Sequence, residues 1–396
     1  MSTDTILDVG RPADRGGPPE TAATILDAVT SMVPAIAGRG DEIEHARRVP
    51  PDLMAALTAA GCFRLAVPKR HGGIEADLAT SREQIRVLAR ADGSVAWTTM
   101  IGSVAPLLLG LLPTETIDEI YEAGPDVILA GAFNPSGVAT PVDGGYRVSG
   151  RWSFASGCQH ASWFMAHCLV DDGRMPPLRM MVLPPSHVEI IDTWLTAGLC
   201  GTGSHDFIID DVFVPEARTL AVWDESKFAA PLFQIPELSL SSMMIATVAV
   251  GIAEGALAEL TALATTKVPM LAEAALATNP HFQYQLGEAV AHLAAAGALL
   301  DAEADAAWSQ AVAGAELTPE QRARIRAAAT WATRSATEVV DTAYTAAGGT
   351  AMYTSSPLQR RLRDVHAVTQ HYVVKADTFT KAGAVLAGQE IDLTFL

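Results

Sequence analysis

Apolar residues recur three and four apart from Glu20 to about Tyr121, as in "PDLMAALTAAGCFRLAVP", and this spacing predicts helices with one buried face. Pro50 and Pro51 start a helix that Gly61 ends, and Pro68 with Gly72–Gly73 punctuates the next joint. "REQIRVLARADGSVAWTTMIGS" then resumes a helix carrying Trp97. Between about Asp126 and Pro215 the pattern shortens. Gly and Pro become frequent, and β-favouring runs appear in "GGYRVSGRWSFAS", "SWFMAHCLV", "LRMMVLP" and "DFIIDDVFVP". Turn signals at Asp143–Gly144–Gly145 and Asp171–Asp172–Gly173 separate these runs and predict an antiparallel β-domain. From Leu238 onward, alanine-rich helical segments return, broken near Pro269, Asn279–Pro280, Thr318–Pro319 and Gly348–Gly349. Apolar on more than one face, they suit a helical bundle that also packs against other subunits. The reading is an α+β chain in four parts: a disordered lead-in (1–19), an N-terminal helical domain (20–121), a β-domain (122–222) and a C-terminal helical bundle (223–396).

Composition narrows the function. With 49% hydrophobic and 18% charged residues, most of the chain is built to be buried, and a net charge of -18 argues against nucleic acid and anionic membranes as partners. Cys62, Cys158, Cys168 and Cys200 form no CxxC pair, which fits a reduced, cytoplasmic protein. The N-terminus lacks the basic-then-apolar pattern of a signal peptide. The uncharged run Leu238–Ala253 is 16 residues long and holds four Ser/Thr positions. A membrane span needs roughly 20 apolar residues, so this run reads as a buried helix.

Candidate chemistry is sparse. "GLCGTGSHD" (Gly198 to Asp206) is not a dinucleotide fingerprint, because a strand follows it rather than a helix; it reads as a turn whose N–H groups are open to an anion. Cys158, His160, His167 and Cys168 match no common zinc spacing, and no metal is expected. In "GRWSFASGCQH", Trp152, Phe154 and the Ser156–Gly157 pair place a flat apolar surface beside a hydroxyl and a flexible backbone. "RRLRDVHAVTQHYVV" (Arg360 to Val374) reads as one helix, on which His366 and His371 would stand about 140° apart, excluding a shared ligand. Asp364 would share a face with His371 but lie about 10 Å away along the axis. A lone histidine acting as acid, base or hydrogen-bond donor stays open beside an ordinary packing role.

Four segments in this order, "GCFRLAVPKRHGG", "GRWSFASGCQHASWF", "GLCGTGSHDFIIDDVFVP" and "AAGGTAMYTSSPLQRRLRDVHA", resemble the acyl-CoA dehydrogenase superfold over nearly the whole chain. The resemblance implies an N-terminal helical domain, a central β-barrel and a C-terminal four-helix bundle, assembled as a homotetramer with flavin between β-domain and bundle. Activity does not follow from fold. The dehydrogenases' glutamate base would fall at Tyr372, and a phenol with a reference pKa of about 10 is a poor base. "TTKVPM" replaces the arginine and phenylalanine around the FAD pyrophosphate, and Thr345 stands where a flavin-contacting glutamine is expected. A relocated base on another helix, such as Glu254, would restore dehydrogenase chemistry; a degenerate scaffold without catalysis is the third reading.

"W-x-F-x-SG", "GL-x-GTGS" and "RD-x-H-x-x-x-x-H", at Trp152–Gly157, Gly198–Ser204 and Arg363–His371, are similar instead to the flavin-dependent monooxygenases of the same fold. These resemble the hydroxyphenylacetate and steroid-phenol hydroxylases. The resemblance implies the oxygenase component of a two-component system, in which a separate reductase supplies reduced flavin. Oxygen would then give a flavin C4a-hydroperoxide that hydroxylates an aromatic or polycyclic substrate, with N- or S-oxygenation as the variant within the group. It makes His371 and Ser156 catalytic. It makes Trp152, Phe154, Ala155, Ser156, Gly157, Thr202, Gly203, Ser204, Gly348 and Gly349 cofactor-binding, and it puts Trp97 and Tyr372 in the substrate pocket. His366 stays structural. "WTTMIGSVAPLLLG" lacks the substrate-binding histidine of some phenol hydroxylases, which favours a more apolar, polycyclic, indolic or polyketide-like ring. The missing adenine-side arginine favours reduced FMN over FAD.

Overall fold

A computed structural model of the chain describes residues 21–171, 173 and 177–391; the expected lead-in, 1–19, lies outside the described residues. Helices come first: α1 (Ala22–Ala37), α2 (Gly40–Ala46), α3 (Pro51–Ala59), α4 (Leu78–Ala91), α5 (Gly93–Ser103), α6 (Ala105–Leu109) and α7 (Thr114–Ile120). Strands follow: β1 (Leu129–Val142), β2 (Gly145–Ala155), β3 (Trp163–Val170), β4 (Leu178–Leu183), β5 (Glu189–Ile191), β6 (His205–Pro215) and β7 (Thr219–Leu220). The chain then returns to helices α8 (Glu237–Thr266), α9 (Pro280–Val312), α10 (Pro319–Ala347), α11 (Pro357–Val368) and α12 (Thr378–Leu386). The order α, β, α is the one the hydrophobic pattern predicts.

Local chemistry sets the boundaries. Asn279 caps α9 through the N–H groups of His281 and Phe282, and Thr318 with Gln321 forms a capping box on α10; each cap is followed by a proline at the first helical position. Asp92 accepts from the N–H groups of Ser94 and Val95 and so starts α5 directly after α4.

The sheet departs from expectation. Its strand order is β5-β6-β2-β1-β3-β4-β7, β1 and β3 run parallel, and it stays open. A closed barrel needs long edge strands in matching register. Here the edges are β5, three residues long, and β7, two residues long. β1 also went unread in the sequence: Gly131, Pro135, Gly137 and Pro141 interrupt its pattern, and its register with β3 shifts between Ala132 and Gly137.

Three cores result. One runs without interruption from α1 through α4 and α5 into α8, α9 and α10, so the two helical regions pack as one body. A second lies inside the sheet around Trp152, Phe164 and Phe207. A third joins α6 and α7 to β1, β3 and β4. Helix α8 is long and apolar enough to cross a membrane, but 89% of its apolar window is buried in the protein. The space where the sheet meets both helical regions is the cavity described next.

Candidate active site

Between the sheet and the helices lies a cavity of about 1140 Å³, lined mainly by apolar groups. That exceeds the roughly 300–1,000 Å³ typical of a pocket for one drug-sized ligand. The volume suits two aromatic guests together.

The sheet-side wall carries a chain of hydrogen bonds with a fixed direction. Trp97 Nε1 donates to Ser156 Oγ at 3.0 Å, Ser156 and Ser204 hydroxyls lie 2.7 Å apart, as do Ser204 and Thr202, and Thr202 Oγ1 donates to the Leu199 carbonyl at 2.8 Å. An indole N–H can only donate and a carbonyl can only accept. Each hydroxyl between them therefore accepts one proton and passes one on, keeping a lone pair free. At Ser156 that lone pair suits a ring N–H, the donor a reduced flavin presents. Phe154 sits beside the relay at φ +69°, 69% exposed and edge-on to Trp194, with an aromatic face left for a planar ring to cover. Left-handed backbone is costly for an aromatic residue and recurs at functional sites. A flavin fits these residues.

The loop behind the relay is held by α11. Arg363 Nη1 donates to the Ala197 carbonyl at 2.6 Å and to Glu44 Oε1 at 2.7 Å, and Asp364 Oδ1 accepts from Leu199 N at 2.6 Å. A Cβ at Gly198 would fall 2.1 Å from the Arg363 carbonyl oxygen, so only glycine allows this approach. Leu199 and Gly203, both left-handed, bracket the turn, and the N–H groups of Gly201 and Thr202 are taken by Ser94 Oγ and the Leu199 carbonyl. The loop thus spends these donors on the protein. Its work is to place Thr202 and Ser204. Burial, and then the neighbouring Asp92, push the Asp364 carboxyl up to about 7.

The helical wall carries His371, which is not on a helix. α11 stops at Val368, three tight turns close it, and His371 opens a one-turn 3-10 segment, Tyr372–Val374. The angle expected between His366 and His371 on one helix does not apply. His371 Nδ1 accepts from Val373 N at 3.4 Å, which puts the ring proton on Nε2. Its ring meets Trp97 edge-on with centroids 5.6 Å apart. Burial first, then the charges of Arg326 and Lys375, bring its pKa down to about 4. It is a neutral imidazole lining the cavity. His366 stands at the exposed rim with Nε2 2.9 Å from Asp341 Oδ1.

The structure gathers Trp97, Phe154, Ser156, Thr202, Ser204, His371 and Tyr372 in the cavity wall. Other expected residues lie elsewhere. Trp152 is fully buried in the sheet core, stacked on Phe207 with Nε1 donating to the His167 carbonyl, in space that Gly137 and Gly150 leave for it. Ala155 points into the same core, and Gly157 and Gly203 serve as left-handed turn positions. Gly348 and Gly349 end α10 at the surface, where the Lys267 ammonium donates to the Ala347 carbonyl. Glu254 lies outside the cavity wall, held by Arg86 and Arg90. Among the described residues no His, Cys, Asp and Glu side chains gather as a metal would require.

Sequence reasoning missed Glu237, Ser241, Tyr344 and Trp194. Glu237 had a signal: it is the charge immediately preceding the uncharged run of α8.

Residues 20–115 match the acyl-CoA dehydrogenase N-terminal domain, and residues 243–376 match its C-terminal domain. Indole-3-acetate monooxygenase of Acinetobacter baumannii is 37% identical, over 92% of this chain and 94% of its own. The flavin-dependent monooxygenase oxygenase subunit HsaA of Mycobacterium tuberculosis is 32% identical, over 88% of this chain and 91% of its own. An HsaA crystal structure superposes with a TM-score of 0.90, covering 95% of this chain and all of that one. XiaF from Streptomyces, crystallised with FADH2 and glycerol, is 27% identical with a TM-score of 0.89, covering 95% of this chain and 98% of its own.

Proposed function

We infer that this chain, a member of the acyl-CoA dehydrogenase family and within it of the flavin-dependent monooxygenases, is the oxygenase component of a two-component system that hydroxylates an aromatic substrate with reduced flavin and O2. The observation that carries this is the pairing of a neutral, half-buried His371 with the Trp97–Ser156–Ser204–Thr202 relay across one apolar cavity.

The chemistry that reduced flavin supplies when bound is two-electron activation of dioxygen, with one oxygen atom going to the substrate and the other leaving as water. Phe154, Ser156, Thr202 and Ser204 would hold the flavin ring, the free lone pair of Ser156 Oγ being suited to a ring N–H. The apolar side chains of Met100, Ile101, Val104 and Leu107 form the substrate wall and exclude water, which protects an oxygen-reactive site from wasteful release. His371 keeps its proton on Nε2 and would offer it to the cavity as a hydrogen-bond donor for the bound aromatic substrate. Because its pKa lies near 4, it does so unchanged across neutral pH. No proton needs to be pulled from carbon, so no base is required at Tyr372.

We take reduced FMN as the cofactor form, because "TTKVPM" brings no arginine to the end of α10; FAD, bound as FADH2 by XiaF, is the competing form. An indolic ring is the favoured substrate class, supported by the indole-3-acetate relative and the apolar wall. We also propose a homotetramer in the cytoplasm. The exposed apolar Val268, Met270 and Leu271, just after α8, support a subunit contact, and four free, buried cysteines support a reducing compartment.

One observation favours a second reading. Glu237 reaches the cavity, where a dehydrogenase would use it as base. The deciding experiment mixes the protein anaerobically with reduced FMN or FAD, then with oxygenated buffer and indole-3-acetate, and follows absorbance and product. Oxygen-dependent hydroxylated product supports the monooxygenase. Co-purified FAD that bleaches on adding an acyl-CoA, with no oxygenated product, overturns it.

A further inference from the structure

Helix α8 presents Glu237, Ser241 and Ile245, spaced four apart, to the cavity. Everything from Leu238 to Ala253 is uncharged, so Glu237 is the charge that the helix brings to this wall. A carboxyl group at such a place costs free energy unless its oxygens are occupied. Ser241 Oγ donates to Oε1 at 2.5 Å, and among the described residues Oε2 has no hydrogen-bond donor. Val104 and Leu107 line the same cavity and share a small void with Leu240 and Met244 of α8, while the Arg326 guanidinium and the Tyr372 phenol interact electrostatically with the carboxyl. Glu237 therefore opens onto the same cavity as the apolar wall and the hydroxyl relay.

We propose that Glu237 is a specificity-determining residue whose Oε2 accepts a hydrogen bond from a ring N–H or O–H of the aromatic substrate. This rests on the monooxygenase reading, since it takes the part of the cavity outside the hydroxyl relay as the substrate's place. The polar complement agrees. His371 Nε2–H is a donor, and the Ser241 hydroxyl is spent on Oε1, so an incoming donor finds its acceptor at Glu237. Burial holds the carboxyl above its ordinary range, with Ser241 and Arg326 acting against the shift; charged or neutral, Oε2 keeps a lone pair for the ring. The substrates selected are neutral aromatic rings with a donor heteroatom, such as indoles and phenols, in preference to same-shaped rings without one.

The test compares indole with benzofuran, which replaces the N–H by an oxygen of similar size. Binding to the full-length protein is measured by titration calorimetry, and product formation is measured with reduced flavin, in wild type, Glu237→Gln and Glu237→Leu. Wild type should prefer indole by roughly 10- to 100-fold, the value of one hydrogen bond to a carboxylate. Glu237→Leu should bring the two rings within about threefold, and Glu237→Gln, which keeps a carbonyl acceptor, should fall between. Should Glu237→Leu not fold, Glu237→Ala takes its place in the comparison. A wild type indifferent to the N–H, or a preference that survives in the leucine or alanine variant, overturns the inference while leaving the monooxygenase standing. Failure of wild type to oxygenate either ring, with flavin reduced by acyl-CoA, overturns both.

Discussion

The inner end of the cavity and its rim each hold a histidine from the same short segment, and the two could hardly differ more. At the inner end, His371 is packed against Trp97, loses its charge to burial and presents one N–H to an apolar space. At the rim, the His366 side chain is 52% exposed and hydrogen-bonds Asp341 at the edge of the solvent. Residue type and motif are shared; environment decides. A donor in a dry site keeps most of its electrostatic worth, whereas an exposed pair gives it to water.

The largest effect should follow from removing the inner histidine. His371→Ala should lower product formation roughly 100-fold or more, within the range for a positioned proton-handling group, while oxidation of reduced flavin by O2 continues. Product per flavin oxidised is the measurement, and a variant that hydroxylates as well as wild type would dissolve the contrast. Because His371 stays neutral above about 4, the product rate should show no step near 6.5.

Next comes the anchor that ties the inner end together. Asp364→Ala leaves Leu199 N–H buried without an acceptor and frees the loop that carries Thr202 and Ser204. It should cost about 1–3 kcal/mol of stability, whereas Asp364→Asn keeps an acceptor and should recover most of that. Burial and Asp92 raise this carboxyl in the folded state to about 7, above its ordinary 3.8. The folded protein then holds a proton that the unfolded chain has released between those values. Stability from this group is full below that window and is lost as pH rises through it. Melting temperatures from pH 5 to 8 should fall more steeply for wild type than for Asp364→Asn.

The inner end was partly legible before any coordinates. Ser156, Thr202 and Ser204 sit in two short motifs whose turns fold locally, so sequence neighbours stay spatial neighbours. Arg363 and Asp364 were visible as a pair, but their task was not. They clamp a loop some 165 residues away, and spacing carries no record of that contact. The misread elements had weak local cues. Thr369, Tyr372, Val373 and Val374 are β-branched or aromatic, poor helix formers that mark the end of α11 without a glycine or proline to announce it. Trp152 looked like a cofactor wall because a tryptophan beside glycines suits either a ligand or a core. Only the β1 register, with Gly137 against its ring, assigns it to the core. The barrel failed for a similar reason: edge strands of two and three residues leave no sequence signal of whether a sheet closes.

The smallest effect is expected at the rim, and it is the sharpest check on the contrast. His366 and Asp341 are joined by one 2.9 Å contact, both side chains about half exposed. Such a pair is worth under about 1 kcal/mol, and salt screens it further. His366→Ala should therefore leave stability within about 0.5 kcal/mol and product formation within about twofold. High salt should erase what difference remains. If His366→Ala instead loses product on the scale of His371→Ala, the rim takes part in the chemistry; Asp341→Asn would then have to show the same loss, because the aspartate orients that ring. If only the inner variant is impaired, burial is what separates two histidines five residues apart.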